Sequence, residues 1–183
     1  CSEEKKDERG TAISIVVVHN KNNNELHKSV TLRSIDVSYN EFVRNMSTEF
    51  DAVIVDSMEP ANIIFSSGTT GTPKAIVWSH CTLIKCAVDG YFHQDLHNND
   101  RLAWPTSLGW MMGSWLIAQR INSVTICLFQ GLPHSKEFAQ FVEAARVAVL
   151  GVIPSLVQTW QARNSVQHAD WSNVRLFSST GEA

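Results

Sequence analysis

The chain has 183 residues, enough for one ordinary domain, and its 44% hydrophobic, 18% charged and 9% aromatic composition excludes both a disordered chain and a fibrous repeat. Fifteen Lys and Arg against eighteen Asp and Glu leave a net charge of -3, the wrong balance for a dedicated DNA or RNA binder, so no nucleic-acid partner is expected. A chain of this size buries about 70% of the surface that its unfolded form exposes, so the four cysteines are not required as staples.

Cys1 to Gly10, with a mixed charge run from Glu3 to Arg9, has no apolar stretch of the kind a secretory signal needs. Ile13 to Val18 is a β-branched run ending in the turn-prone His19 to Asn24, and reads as a buried, parallel first strand. Ser38-Tyr39-Asn40-Glu41 is a capping box that opens a short helix with Phe42, Val43 and Met46 as its apolar face. Asp51 to Asp56 is a short apolar run between acids. Ala61 to Phe65 and Ala75 to Trp78 read as strands on either side of a polar loop. Ser79 caps a helix to about Gln94, with Leu83, Ile84, Ala87 and Val88 expected on its packed side.

His93 to Arg101 reads as a polar connection, Leu102 to Trp104 as a strand, and Trp110 to Ala118 as a buried helix opening rich in aromatic residues and Met. At about half of the roughly 18 residues a membrane span needs, that segment predicts no crossing. Ser123 to Phe129 reads as a strand. Ser135 caps a helix in which Phe138, Phe141, Val142 and Ala145 fall on one face. Val147 to Val152 is a strand, Pro154 to Trp160 a helix, and Val174 to Phe177 the last strand. Strands alternating with helices predict an α/β layered fold with a largely parallel sheet, which gathers ligands at the carboxyl ends of its strands.

Cys1, Cys81, Cys86 and Cys127 have no CxxC spacing and read as free buried thiols in an intracellular setting, peroxisome or cytoplasm. Asn45-Met46-Ser47 fits the glycosylation pattern, but no secretion signal accompanies it. His93 and His97 stand at i, i+4 as in a zinc helix. Gln94 replaces the required Glu, so they read as exposed histidines, and no metal site is expected. The six tryptophans read as core, since no basic stripe accompanies them.

The chemistry concentrates in Ser66-Ser67-Gly68-Thr69-Thr70-Gly71-Thr72-Pro73-Lys74. Glycines let consecutive amides converge on an anion, hydroxyls add donors, and an ammonium supplies charge, a combination suited to phosphate. Pro73 before Lys74 and Ala75 after it exclude the common P-loop. A hydroxyl-rich turn without a ligand has the same composition.

The nine-residue run resembles the signature loop of AMP-forming adenylating enzymes, the superfamily of acyl-CoA synthetases, luciferase-type ligases and peptide-synthetase adenylation domains, whose pattern is approximately [ST]-[ST]-G-[ST]-T-G-x-P-K. Further segments follow in that family's order. Arg33 to Phe42 resembles the segment ahead of the loop, Leu108 to Gly113 is similar to its D-x-G-W-x-x-G segment, Gly151 to Ser155 to its strand and Pro, and Ser179 to Ala183 to its G-S-x-G-E-P adenine segment. The combination is most similar to plant acyl-activating enzymes of the acetyl-CoA-synthetase-like group. Leu108, Ala183 and the Met111-Met112 pair depart from the pattern and point away from acetate; the two Met side chains either shape a pocket for a longer or aryl-bearing acid or simply fill the core.

The resemblance implies a carboxylate-activating ligase using ATP with Mg2+ held through it and coenzyme A as co-substrate, releasing AMP and pyrophosphate. It implies that Ser66, Ser67, Gly68, Thr69, Thr70, Gly71, Thr72 and Lys74 hold the β- and γ-phosphates and that Gly181, Glu182 and Ala183 line the adenine. Trp110, Met111, Met112 and Thr180 would border a small carboxylic acid. It also implies that residues 1–183 are the central part of an adenylating N-terminal domain, cut at both ends and without the C-terminal domain that carries the family's catalytic lysine. On that expectation the isolated chain is inactive and, with a cut core, poorly soluble. A non-catalytic nucleotide-binding or interaction module from a truncated gene product is the alternative from another class.

Overall fold

The computed structural model describes the backbone of residues 16–17 and residues 34–66 and 71–180. The chain divides into two compact units, Cys1–Ile54 and Val55–Ala183. In the first, β1 (Val16–Val17) pairs in parallel with β2 (Val37–Ser38), as the β-branched run predicts; the rest of Ile13 to Val18 lies outside the described residues. Ser38 then starts α1 (Tyr39–Val43), its Oγ accepting from the Glu41 amide at 3.3 Å while the Glu41 carboxylate accepts from the Ser38 amide at 3.3 Å. The Ser38 hydroxyl, which donates to the same carboxylate at 2.9 Å, and the Ser38 amide together hold the Glu41 carboxyl below its ordinary pKa. The predicted apolar face of this helix is not buried: Phe42, Val43 and Met46 are all exposed. A cap is settled by four adjacent residues, whereas burial needs a partner element. Asp51 to Asp56 forms no regular element.

The second unit begins with a hairpin. β3 (Pro60–Ser66) and β4 (Lys74–Ser79) pair antiparallel as a sheet of their own, from Asn62 opposite Trp78 to Ser66 opposite Lys74. Ser79 caps α2 (His80–Gln94), accepting from the Thr82 amide at 3.3 Å, and the helix stops where Asp95 turns into the left-handed region at φ 54°. The stripe of α2 that packs is only half the predicted one: Leu83 and Ala87 turn inward as expected, joined by Cys86 and Gly90, while Ile84 and Val88 are exposed. Small residues decide it. A Cβ on Gly90 would lie 2.0 Å from the Gln119 Oε1, so α2 approaches its neighbour only along this stripe.

Behind the hairpin stands a parallel sheet of four strands in the order β6-β5-β7-β8. Its members are β5 (Arg101–Ala103), β6 (Thr125–Cys127), β7 (Val149–Val152) and β8 (Leu176–Ser179). Because strand side chains alternate, consecutive residues serve opposite cores. Leu102, Trp104 and Val149 join Trp115 and Leu116 of α3 (Met111–Ala118), with Cys86 of α2 packed against them. Ala103, Leu150 and Val152 join Phe138 and Val142 of α4 (Lys136–Ala144) and Leu156 and Trp160 of α5 (Pro154–Arg163). Helices on both faces of a parallel sheet make this an α/β layered fold. The strand predicted over Ser123 to Phe129 is shorter, because a 3-10 turn (Gln119–Asn122) leads into it and Leu128 and Phe129 leave the sheet. Within this second unit Gly151 is required by packing: a Cβ there would lie 2.0 Å from Cδ2 of Trp104.

Among the described residues no helix is long and apolar enough to cross a membrane. Cys81 is exposed rather than buried as predicted, because it lies on the outer side of α2; Cys86 and Cys127 are half-buried and Cys1 lies outside the described residues. His93 and His97 are exposed as expected.

Candidate functional site

The two ends of the hydroxyl-rich run face each other. Ser66 closes β3 and Lys74 opens β4, paired in register, on the face of the hairpin that also carries Asn62, Ile64 and Ile76. Ile64 is buried, and the Asn62 side-chain amide donates to Oγ of the buried Ser114 on α3, which anchors the hairpin within the unit. Gly71, Thr72 and Lys74 are exposed and Ser66 is half-buried. Ser67, Gly68, Thr69 and Thr70 lie outside the described residues, as do Gly181, Glu182 and Ala183 at the other end of the predicted site.

Parallel pairing brings all four strand ends to one edge of the sheet. Thr180 follows β8 there and is half-buried, and residues 104–110 leave β5 there to start α3. The turn into α3 depends on Gly113, since a Cβ at that position would lie 2.5 Å from both the Leu108 Cα and the Ser107 carbonyl oxygen. The glycine at 113 therefore has a packing cause, whereas a Cβ on Gly109 would make only an ordinary contact with the Ser107 Oγ at 3.8 Å. Trp110, 68% exposed, does not join the core as predicted of the tryptophans, because it stands outside the first turn of the helix. Met111 is also exposed, while Met112 is half-buried against the Trp104 and Trp115 cluster.

Trp110 instead borders a cavity of about 380 Å³ at the carboxyl ends of β5 and β6. Ala103, Leu116 and Phe138 form its buried floor, Phe129 and Phe141 its wall, and Leu108 and Leu128 stand exposed at its edge. None of its lining residues is charged; Thr106, Ser107 and Cys127 are the polar ones. Burial pushes the Cys127 thiol above its ordinary pKa, opposed by the Arg101 charge, so the thiol is protonated at neutral pH. Of the residues expected to border an acyl group, Trp110 lines this cavity; Met111, Met112 and Thr180 are not among its walls. The walls contributed by Phe129, Phe138 and Phe141 read in sequence as strand and helix core. The usable signal was the apolar run continuing past β6 into Leu128-Phe129, followed by Gly131 and Pro133.

Among the described residues no three His, Cys, Asp or Glu side chains gather to hold a metal ion. The lone strong charge at the hairpin is Lys74 among its described loop residues, a donor for anions rather than a metal ligand.

Comparison with known proteins places these features in context. A family described as AMP-binding enzyme matches residues 2–183. The probable acyl-activating enzyme 17, peroxisomal, of Arabidopsis thaliana is 49% identical over 157 residues, which are 83% of this chain and 22% of the relative. The hexanoyl-CoA synthase of Cannabis sativa is 45% identical over 157 residues, again 83% of this chain and 22% of the relative. The solved acetoacetyl-CoA synthetase from Streptomyces lividans shares the fold with a TM-score of 0.72 at 26% identity, over 84% of this chain and 24% of that one. The chain thus spans 22% of the length of those two curated relatives.

Proposed function

The chain belongs to the AMP-binding enzyme family, and from that premise we propose that it is part of an ATP-dependent ligase that activates a small carboxylic acid. In the proposed reaction a carboxylate oxygen attacks the α-phosphorus of ATP, the bond to the β-phosphate breaks, and pyrophosphate leaves with the electron pair. The thiol of coenzyme A, giving up its proton to solvent, then attacks the acyl carbon of the adenylate, the bond from that carbon to the phosphate oxygen breaks, and AMP departs with the electron pair. We further propose that residues 1–183 are a central part of the adenylating domain of a longer protein.

Catalysis of this kind rests on positioning and on stabilising charge. The observation that carries the reading is the hairpin, whose ends Ser66 and Lys74 stand opposite each other on a face anchored through Asn62. An ammonium and a row of hydroxyls at one hairpin tip suit the β- and γ-phosphates. Ser66, Ser67, Gly68, Thr69, Thr70, Gly71, Thr72 and Lys74 take that role in the proposal; Gly181, Glu182 and Ala183 line the adenine, and Trp110, Met111, Met112 and Thr180 border the acid. In the proposal magnesium enters carried by the triphosphate.

The test is carboxylate-dependent exchange of labelled pyrophosphate into ATP by the full-length protein. Exchange with at least one acid, weakened in Lys74→Ala, supports the reading; no exchange with any of a panel of aliphatic and aryl acids overturns it. The names of similar proteins support a peroxisomal setting, which imaging of the full-length protein would check.

A further inference from the structure

The β3–β4 hairpin carries Ser66 and Lys74 at its tip, yet apolar burial alone does not hold it in place. In its two strands Ile64 is the buried residue, while Ile63, Phe65, Ala75 and Val77 of the opposite face are exposed. Apolar contact is non-directional, so one buried side chain lets a two-stranded ribbon slide or tilt against what it touches. A hydrogen bond between side chains is directional and fixes depth and angle together. Asn62 makes that bond, its amide nitrogen donating to Oγ of Ser114 on α3. Among the described residues no other side-chain hydrogen bond joins β3 or β4 to α3 or to the parallel sheet.

Three details show a side chain held for this contact. Pro60 pairs with Ser79 and Asn62 with Trp78, so Ala61 is an extra residue on β3, and such a bulge re-aims the side chains beside it. The Asn62 Oδ1 accepts from the Ile63 amide at 2.8 Å, which leaves the nitrogen to reach across. Ser114 is 2% exposed, so its hydroxyl is shielded from water and relies on protein partners.

Asn62 also stands between the two halves of the proposed site. Asn62, Ile64 and Ser66 share a face of β3, and Ser66 pairs with Lys74, so the tip lies roughly 13 Å beyond the tether at about 3.3 Å per residue. Along α3 the Ser114 amide donates to the Trp110 carbonyl at 3.4 Å, which puts the tether one helical turn from the residue bordering the cavity. Released from Ser114, a ribbon of that reach tilted by about 5° carries its tip by roughly 1 Å while Trp110 stays where it is.

We propose, resting on the ligase reading above, that Asn62 is a positioning residue: through Ser114 it fixes where the tip assigned to the β- and γ-phosphates stands relative to the acid. The carboxylate oxygen, the α-phosphorus and the departing pyrophosphate oxygen are thereby held in line. Contacts from Lys74 and the hydroxyls to phosphate survive the loss of Asn62, and alignment does not. A misplacement of about 1 Å costs on the order of a hundredfold in rate, so the effect belongs to the chemical step and not to ATP binding.

Single-turnover adenylate formation by the full-length protein, trapped with hydroxylamine, would be measured with an acid that the unmodified protein activates, beside equilibrium binding of a fluorescent, non-hydrolysable ATP analogue. Asn62→Leu and Ser114→Ala should each lower the single-turnover rate by about ten- to a hundredfold and leave the analogue's Kd within about twofold. The double variant should be no slower than the slower single one, since both changes remove the same bond. Asn62→Asp keeps an oxygen that accepts from the Ser114 hydroxyl, and should restore the rate to within about threefold of the unmodified protein. Ile117→Ala, on the exposed side of α3, should change neither quantity. Rates are taken per folded molecule from the near-UV circular dichroism signal; a smaller folded fraction with an unchanged rate means a merely structural role and overturns the assignment. Additive losses in the double variant, a loss confined to Kd, or an Asn62→Asp protein as slow as Asn62→Leu likewise overturns it and leaves the ligase reading intact. Absence of adenylate from every acid with the unmodified protein overturns both.

Discussion

The β3–β4 hairpin and the four-stranded sheet use their apolar residues in opposite ways. Leu102, Val147, Val149 and Leu150, in and beside the sheet, are wholly buried, whereas on the hairpin Ile63, Phe65 and Val77 are 53%, 62% and 58% exposed and share one bare face. The sheet is held by apolar area removed from water on both sides, at roughly 25 cal/mol for each Å². The hairpin is held by its backbone ladder and a few tethers, among them the Asn62 amide on Ser114 and the His80 amide on the Glu59 carbonyl at 3.1 Å. The residues with chemistry thus sit on an element whose persistence does not depend on their side chains, and those of the sheet can change little without changing the fold.

The contrast can be broken most directly at its two extremes. Phe138, 2% exposed beneath the sheet and stacked on Trp160 at a centroid distance of 6.1 Å, should cost about 3–5 kcal/mol when cut to Ala. Urea unfolding of the full-length protein would read it, and a loss below about 1 kcal/mol would show that the core relaxes around the gap. Lys74→Ala should do the reverse. On the proposed reading the change removes a charged donor to phosphate, at a cost of about 1.5–3 kcal/mol or roughly ten- to a hundredfold in kcat/KM for ATP, while stability moves by no more than about 0.5 kcal/mol. A Lys74→Ala protein that unfolds early would erase the distinction between the two regions. Gly151→Ala falls next, at about 1–3 kcal/mol, since its methyl must displace the Trp104 ring. Near-UV circular dichroism of the tryptophans would register that displacement.

The same contrast explains what could be read from the residues. Val147 to Val152 announces its strand because a strand buried on both faces leaves an unbroken apolar run, and the Ser38–Glu41 cap is legible because it involves only neighbours. The packed stripe of α2 was only half legible, in Leu83 and Ala87, since periodicity weighs Ile84 and Val88 above Gly90. Contact with Gln119, whose amide donates to the Cys86 and Trp115 carbonyls at 3.0 Å, rewards the smallest residue. The hydroxyl-rich run from Ser66 to Lys74 stands out through composition and through its likeness to a known pattern. The cavity does not, because its walls come from the exits of two strands and from α4, and each of those residues looks like ordinary core until the segments are brought together.

Thiols offer the finest probe of the difference. Burial raises the pKa of Cys127, opposed by Arg101; for Cys86 burial again leads, with Asp89 adding to it and Lys85 opposing. Only the thiolate reacts with iodoacetamide, so the alkylation rates of both should reach half of their plateau above the pH of about 8.5 at which an ordinary cysteine does. A reference thiol placed on the exposed hairpin by Ala75→Cys faces water and should reach half of its plateau at the ordinary pH, reacting severalfold faster than either near pH 8. Peptide mass spectrometry separates the three rates in one sample. If Cys127 reached half of its plateau together with the reference thiol, the cavity wall would be wet. The distinction between a hairpin in water and a sheet flanked by dry space would then hold for the Cys86 side of the sheet alone.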